Sequence, residues 1–195
     1  MLKKKILDFK KDLILEEAAK LFQEYGYDNM KVANLAKNIG VSVGSIYTLF
    51  GSKENLYHNH ILEQIDQCLE KLDNEIQKID DPIERLKILT NNKFNAYANH
   101  ENELRTMGFS HPLMFIYASD IGNDVIQHIY AYIDENIMQP LKAKTNTSKT
   151  SMEMTLLYDS ISIGIIKYWL KFGGDLVGNA DEMMEDFLLI AKKKS

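Results

Sequence analysis

The 195-residue chain is short of the residues that mark several protein classes. It has one cysteine, Cys68, so no disulfide can close within it and the fold needs no oxidising compartment. Cys68 itself is expected as a small core residue. Three prolines and ten glycines exclude a collagen-like or loop-dominated chain. The longest apolar stretches are only a few residues, far short of the ~20 that a membrane span needs. Lys3, Lys4 and Lys5 stand near the start, but no long apolar run follows, so a secretory signal is not expected. The expectation is a soluble, cytoplasmic protein with no membrane partner. In that setting the Asn146-Thr147-Ser148 sequon has no meaning.

Signatures of catalysis are missing as well. There is no nucleophile elbow, no phosphate loop and no pair of acids in a known context, and Ser110-His111 is a dipeptide rather than a triad. His58 and His60 stand two apart on an expected helix, so they point to nearly opposite faces and cannot share one ion. His100, His111 and His128 have no ligand spacing. No enzyme activity, metal or cofactor is expected. No segment alternates with period two over a useful length, and no internal repeat is found.

What is present is a helical pattern. Hydrophobic residues make up 45% of the chain, enough at this length to bury a full core. The net charge of −5 is unevenly spread: residues 1–55 carry nine lysines, no arginine and seven acids, a balance of +2, which leaves −7 for the rest. A small anion-facing module on an acidic body fits this split. Leu13, Ile14, Ala18, Leu21, Phe22 and Tyr25 predict a helix over 13–25, with Gly26 as its C-cap. Val32, Leu35, Ala36 and Ile39 predict a second, closed by Gly40. Ser42 is a hydroxyl N-cap for a third over 43–50. Ser52 caps a long helix to about residue 79. Asp81-Pro82-Ile83-Glu84 is a helix start with an acidic cap and proline in the first turn, and that helix runs to about residue 100. Short pieces follow over 101–119, then a helix ended near Pro140, a polar loop over 142–151, a helix over 151–172, and a last helix from Asn179. The class is all-α, with about nine helices. The division is a helix-turn-helix domain over 1–55 and a helical domain over 56–195.

The second and third helices, joined by a short turn containing Gly40, form a helix-turn-helix arrangement. At 100° per residue the third helix turns Val43, Ile46, Tyr47 and Phe50 to one side, expected to pack on the first two helices. Gly44, Ser45, Thr48 and Leu49 face the other side, expected to enter a major groove. Gly44 has no side chain to hold the helix off DNA. Ser45 and Thr48 bring short hydroxyls to phosphates or bases. The Tyr47 ring packs while its hydroxyl reaches a phosphate. Lys53 and the helix N-terminal amides meet one phosphate together.

The run GYDNMKVANLAKNIGVSVGSIYTLFGSKENLY, Gly26 to Tyr57, resembles the DNA-binding signature of tetracycline-repressor (TetR)-type transcriptional regulators. Its most specific part is IGVSVGSIYTLFGSKENLY, and the resemblance covers about 45 residues from about residue 12. It implies a dimeric, ligand-responsive regulator, most often a repressor, that binds a near-palindromic operator. The DNA-facing set it implies is Lys31, Ser42, Val43, Gly44, Ser45, Tyr47, Thr48, Leu49 and Lys53. There are departures. The family usually has Lys where this chain has Val43, a Thr pair at Met30-Lys31, often Arg at Ala33, and an aromatic or His where Thr48-Leu49 follow Tyr47. The base sequence read by relatives therefore does not transfer.

For residues beyond 55 the resemblance implies a ligand-binding and dimerisation domain. Phe94, Tyr97, Met107, Phe109, Met114, Phe115 and Tyr117 are the candidate lining of an apolar cavity for a small apolar or aromatic effector, and nine methionines favour an adaptable interior. The last two helices are the dimer candidates. Ser160 and Gly164 make a small-residue groove flanked by Ile161, Ile165, Tyr168 and Trp169, and Phe187, Leu188 and Ala191 supply a stripe on the last helix. Two such pairs would form a four-helix bundle about a two-fold axis. The alternatives are an all-α interaction module and a helical enzyme, neither binding DNA.

Overall fold

Helices are the only regular elements among the described residues of the computed structural model, which are residues 2–108, 111–115 and 122–192. They are α1 (Leu2–Asn29), α2 (Val32–Asn38), α3 (Val43–Phe50), α4 (Lys53–Ile76), α5 (Pro82–Asn99), α6 (Glu101–Met107), α7 (Pro112–Phe115), α8 (Gly122–Ile133), α9 (Gln139–Lys144), α10 (Ser151–Phe172) and α11 (Ala180–Lys192). A π-helical turn, Asp134–Met138, joins α8 to α9 without a break. Among the described residues no helix is long and apolar enough to cross a membrane. The chain forms two compact units, one of residues 1–66 and 107–125, the other of residues 67–106 and 126–195.

The core of the first unit is the meeting of four short apolar faces. α1 contributes Ile14, Ala18, Leu21 and Phe22, α2 contributes Val32, Leu35 and Ala36, α3 contributes Ile46 and Phe50, and the first turns of α4 contribute Leu56, Tyr57 and Ile61. The periodic spacing of each set is what makes the faces coincide. α1 starts eleven residues earlier than the periodicity predicts. In its added turns Ile6, Leu7 and Phe9 are exposed. Gly26 does not end α1; it kinks it, with φ 72°, and the helix resumes through Asn29. The kink brings Tyr27 back over the core. The Tyr57 ring lies 4.6 Å from Phe22, edge-on, and 4.8 Å from Tyr27. Burial pushes the Tyr57 phenol well above the usual range. His60 is buried beside this cluster, its ring stacked 5.6 Å from Phe22. Cys68, expected in the core, is exposed on α4.

The second unit packs α5, α8, α10 and α11 around Leu86, Phe94, Ile133, Tyr158, Ile166 and Phe187. Asp81 caps α5 through the Ile83 amide, as its sequence predicts. α4 ends at Ile76, three residues before the predicted stop, and the Ile79 carbonyl turns to accept from Arg85. Pro140 does not terminate a helix; α9 runs through it to Lys144. The reason lies in the π turn. Proline has no amide proton for the carbonyl four residues back, and that carbonyl, on Asn136, accepts instead from the Arg85 guanidinium at 3.0 Å. The Gln139 amide reaches back to Asp134. α10 opens with a capping box in which Thr150 and Glu153 satisfy each other's amides. Inside the unit one ion pair is nearly dry: Lys93 Nζ donates to Asp159 Oδ1 at 2.7 Å and to Ser162 Oγ at 2.8 Å, and the Tyr130 hydroxyl donates to Asp159 Oδ2 at 2.7 Å. Three helices, α5, α8 and α10, meet at that carboxylate.

Burial pushes the His60 imidazole down to a pKa of about 4, from an ordinary value near 6.5. The folded head therefore takes up this proton only below the range where the unfolded chain does. Stability is full above pH 6.5 and falls as pH drops towards 4, by at most about 1.4 kcal/mol per pH unit from this group. Urea midpoints measured across that window should fall more steeply for the native chain than for His60→Leu. Equal slopes would show that His60 does not carry the dependence.

Candidate nucleic-acid interface

α3 is presented by its two buried residues. Ile46 and Phe50 sink into the head, four residues apart, and fix which side of the helix faces outwards. Ser42 caps the helix: its Oγ accepts from the Ser45 amide at 3.1 Å and bonds the Ser45 hydroxyl at 2.9 Å. The Thr48 hydroxyl donates to the Gly44 carbonyl at 2.8 Å, one turn back. The hydroxyls of Ser45 and Thr48, expected to be offered to DNA, are thus both engaged within the head.

The outward side differs from the helical-wheel expectation most at Tyr47, while Ser45, expected outwards, is half-buried. Tyr47, expected to pack inward, is 43% exposed, with Gly44 and Thr48 beside it. Val43 and Leu49 are half-buried at the two borders. The wheel misplaced Tyr47 because a single short helix buried on Ile46 and Phe50 needs a narrower inner face than four residues. Gly44 has helical backbone angles. A Cβ built on it meets only Ser42 Oγ, at 3.9 Å, an ordinary contact. Nothing inside the chain requires glycine there.

The lysines differ in freedom. Lys31 is exposed immediately before α2. Lys53, at the first position of α4, is half-buried: its ammonium donates to the Asp28 carbonyl at 3.2 Å and sits 4.8 Å from the centre of the Tyr27 ring. Desolvation holds its pKa below the usual lysine value. Ser52 caps the same helix by accepting from the Asn55 amide at 3.0 Å. Tyr27 was not singled out from sequence as part of this site; it reaches Lys53 only through the kink at Gly26.

The expected effector-lining residues fall in both units. Phe94 and Tyr97 are buried on α5 in the second unit, and Met114 is buried on α7 in the first. Met107 and Phe115 end α6 and α7, while Phe109 and Tyr117 lie outside the described residues.

Of the expected dimer residues, Ser160, Gly164 and Tyr168 are exposed on α10, and Ile161, Ile165 and Leu188 are half-buried. Phe187 and Ala191 do not face outwards. Both are buried in their own chain, with the Phe187 ring packed edge-on to Tyr158 at 5.7 Å, so neither can line an interface. The outward residues of α11 at that end are Leu189 and Ile190. On α10 an i+4 row runs Met152, Leu156, Ser160, Gly164, Tyr168, Phe172, all exposed, and the spacing was legible in the sequence. A groove of about 410 Å³ lies beside it, between Gly164, Ile165 and Tyr168 of α10 and Glu182, Met183 and Asp186 of α11.

Residues 14–59 match the family model of bacterial regulatory proteins of the tetR family. The chain is 35% identical over 51 residues, 26% of its length and 27% of the relative's, to the biofilm operon icaADBC HTH-type negative transcriptional regulator IcaR of Staphylococcus aureus (strain Newman). It is 28% identical over 89 residues, 46% of each chain, to the fatty acid metabolism regulator protein of Bacillus subtilis (strain 168). These matches span about a quarter to about half the length of the curated relatives. The fold extends further. The crystal structure of Thermus thermophilus FadR, a TetR family transcriptional repressor in complex with lauroyl-CoA, aligns with a TM-score of 0.69 at 16% identity, over 91% of this chain and 93% of that one. Residues 14–59 thus carry the sequence of a tetR-family head, and the chain shares the fold of solved regulators of this kind along nearly all its length.

Proposed function

We propose that the protein is a transcriptional repressor that binds a near-palindromic DNA operator as a homodimer and releases it when a small apolar effector binds the helical body. The observation that carries the reading is Gly44. A glycine inside a helix costs about 0.5–1 kcal/mol relative to alanine, and no neighbour in the chain demands it. Its position on the exposed side of α3 supports close approach of the backbone to an outside surface, and a major groove admits such a helix. Lys31 and the pinned Lys53 suit phosphates beside that groove.

Gly164 supports dimerisation by the same reasoning. It lies inside α10, exposed, with nothing within 4 Å of a built Cβ. A second helix pair against the α10 row would cover Leu156, Tyr168 and Leu189. Two heads in one dimer would then meet successive major grooves about 34–36 Å apart. Effector binding would act through α4, one unbroken helix that begins at Lys53. A coupling of about 1–3 kcal/mol would weaken DNA binding about 5–150-fold. The relative that binds lauroyl-CoA makes long acyl thioesters the first effectors to screen, since their tails have the apolar character expected here.

Selection of bound DNA from a random-sequence pool tests the reading. Recovery of a two-fold-symmetric motif is expected; a folded protein that recovers no motif would overturn it. Gly44→Ala should raise the thermal midpoint of the chain while weakening operator binding at least several-fold; unchanged binding would remove Gly44 from the interface. Lys53→Ala should weaken all DNA sequences about equally and lower the slope of log affinity against log salt by about 1. A change in sequence preference with an unchanged slope would contradict the phosphate role. Gly164→Leu should leave helix content intact and give a monomer by sedimentation; a persisting dimer would place the interface elsewhere.

A further inference from the structure

The side chains of α3 spell VGSIYTLF. None is charged and none is an amide. The strong bidentate contacts to base edges, arginine or lysine on guanine and asparagine or glutamine on adenine, are therefore absent from the helix that would enter the groove. Arginine is absent from all of residues 1–55. The hydroxyls do not replace them. Thr48 Oγ1 gives its proton to the Gly44 carbonyl at 2.8 Å, and Ser45 is engaged with Ser42 at 2.9 Å. What α3 leaves outwards besides the Tyr47 phenol is largely apolar: exposed Thr48, whose hydroxyl is already bonded to its own helix, the exposed Tyr47 ring, and the half-buried Val43 and Leu49 at the borders.

B-form DNA offers one apolar group in its major groove, the C5-methyl of thymine. We propose that α3 recognises its operator through thymine methyl groups, with Thr48 and its neighbours Val43, Tyr47 and Leu49 as the apolar contacts. Gly44 is part of the same device. Short side chains touch a methyl only if the helix backbone comes close, and the bare Cα permits that. The operator is accordingly one whose half-sites carry thymines at the positions read by α3. This inference rests on the DNA-binding reading given under Proposed function.

Deoxyuridine isolates the methyl group, because it differs from thymidine by that group alone and keeps every hydrogen-bonding atom. The operator recovered from the random pool is resynthesised with uracil replacing each half-site thymine in turn, and affinity is measured at fixed salt. At one or more positions uracil should weaken binding about fourfold, the equivalent of about 0.8 kcal/mol for one buried methyl. Thr48→Ser, which keeps the hydroxyl, should abolish the penalty at one position, and Thr48→Val, which keeps the methyl, should retain it. An operator fully substituted with uracil that binds as tightly as the thymine form would overturn the proposal, as would selected half-sites without thymine. The uracil scan on the unaltered protein decides this alone, so a variant that folds poorly does not obscure it. Failure to recover any operator would sink the DNA-binding reading and this inference together; an operator indifferent to uracil would sink only this inference.

Discussion

The packing of Tyr57 against Phe22 and Tyr27 is the contact on which the head depends. One residue comes from the body of α1, one from the hook beyond its kink, and one from the first turn of α4, and their ring centres lie 4.6 and 4.8 Å apart across Tyr57. Aromatic pairs at such distances add to the large area they bury. The cluster fixes where α4 begins relative to α1. Through the Tyr27 ring and the Asp28 carbonyl it also fixes the Lys53 ammonium. His60 shares the same apolar shell, which is why its imidazole is kept neutral.

With the scaffold fixed from behind, α3 has few degrees of freedom left. Ile46 and Phe50 anchor it, Ser42 closes its first turn, and Thr48 bonds back to its own helix. With the Ser45 and Thr48 hydroxyls already engaged, the helix presents shape and apolar contact, with the Tyr47 phenol as its remaining side-chain donor. The outward side of α3 is thus defined as much by what its hydroxyls already do as by which residues carry them. Gly44 and Gly164 belong to the same logic in different units: each weakens its helix slightly and is demanded by no neighbour in the chain.

The second unit keeps charge inside. Lys93 and Asp159 are both largely shielded, and the desolvation of such a pair is offset only when further hydrogen bonds complete it. Ser162 and Tyr130 complete it here, and together they tie α5, α8 and α10 at one point. An apolar contact tolerates sliding between helices, whereas these short bonds do not, so the cluster fixes the register of the three. Arg85 does similar work at the π turn, where it takes the carbonyl that Pro140 leaves without an amide.

The sequence alone determined the all-α class, the capped starts of α3, α4 and α5, and the buried face of the head, because these follow from local spacing and from side chains that bond within one turn. It also carried the resemblance to tetR-type regulators, since the helix-turn-helix compresses its fold and the residues expected to face DNA into about 45 consecutive positions. Tertiary structure decided the rest. Tyr47 turned outwards because Ile46 and Phe50 sufficed to fill the space beneath α3. Phe187 and Ala191 turned inwards because Tyr158 and its neighbours lay on that side of α11, a fact no helical wheel contains. Pro140 sat inside a helix because Arg85, more than fifty residues earlier, supplied a donor to Asn136. Tyr27 met Lys53 only after Gly26 had bent the chain. In each case the deciding partner lies far away in sequence, and periodicity reports a helix's own faces but not what stands opposite them.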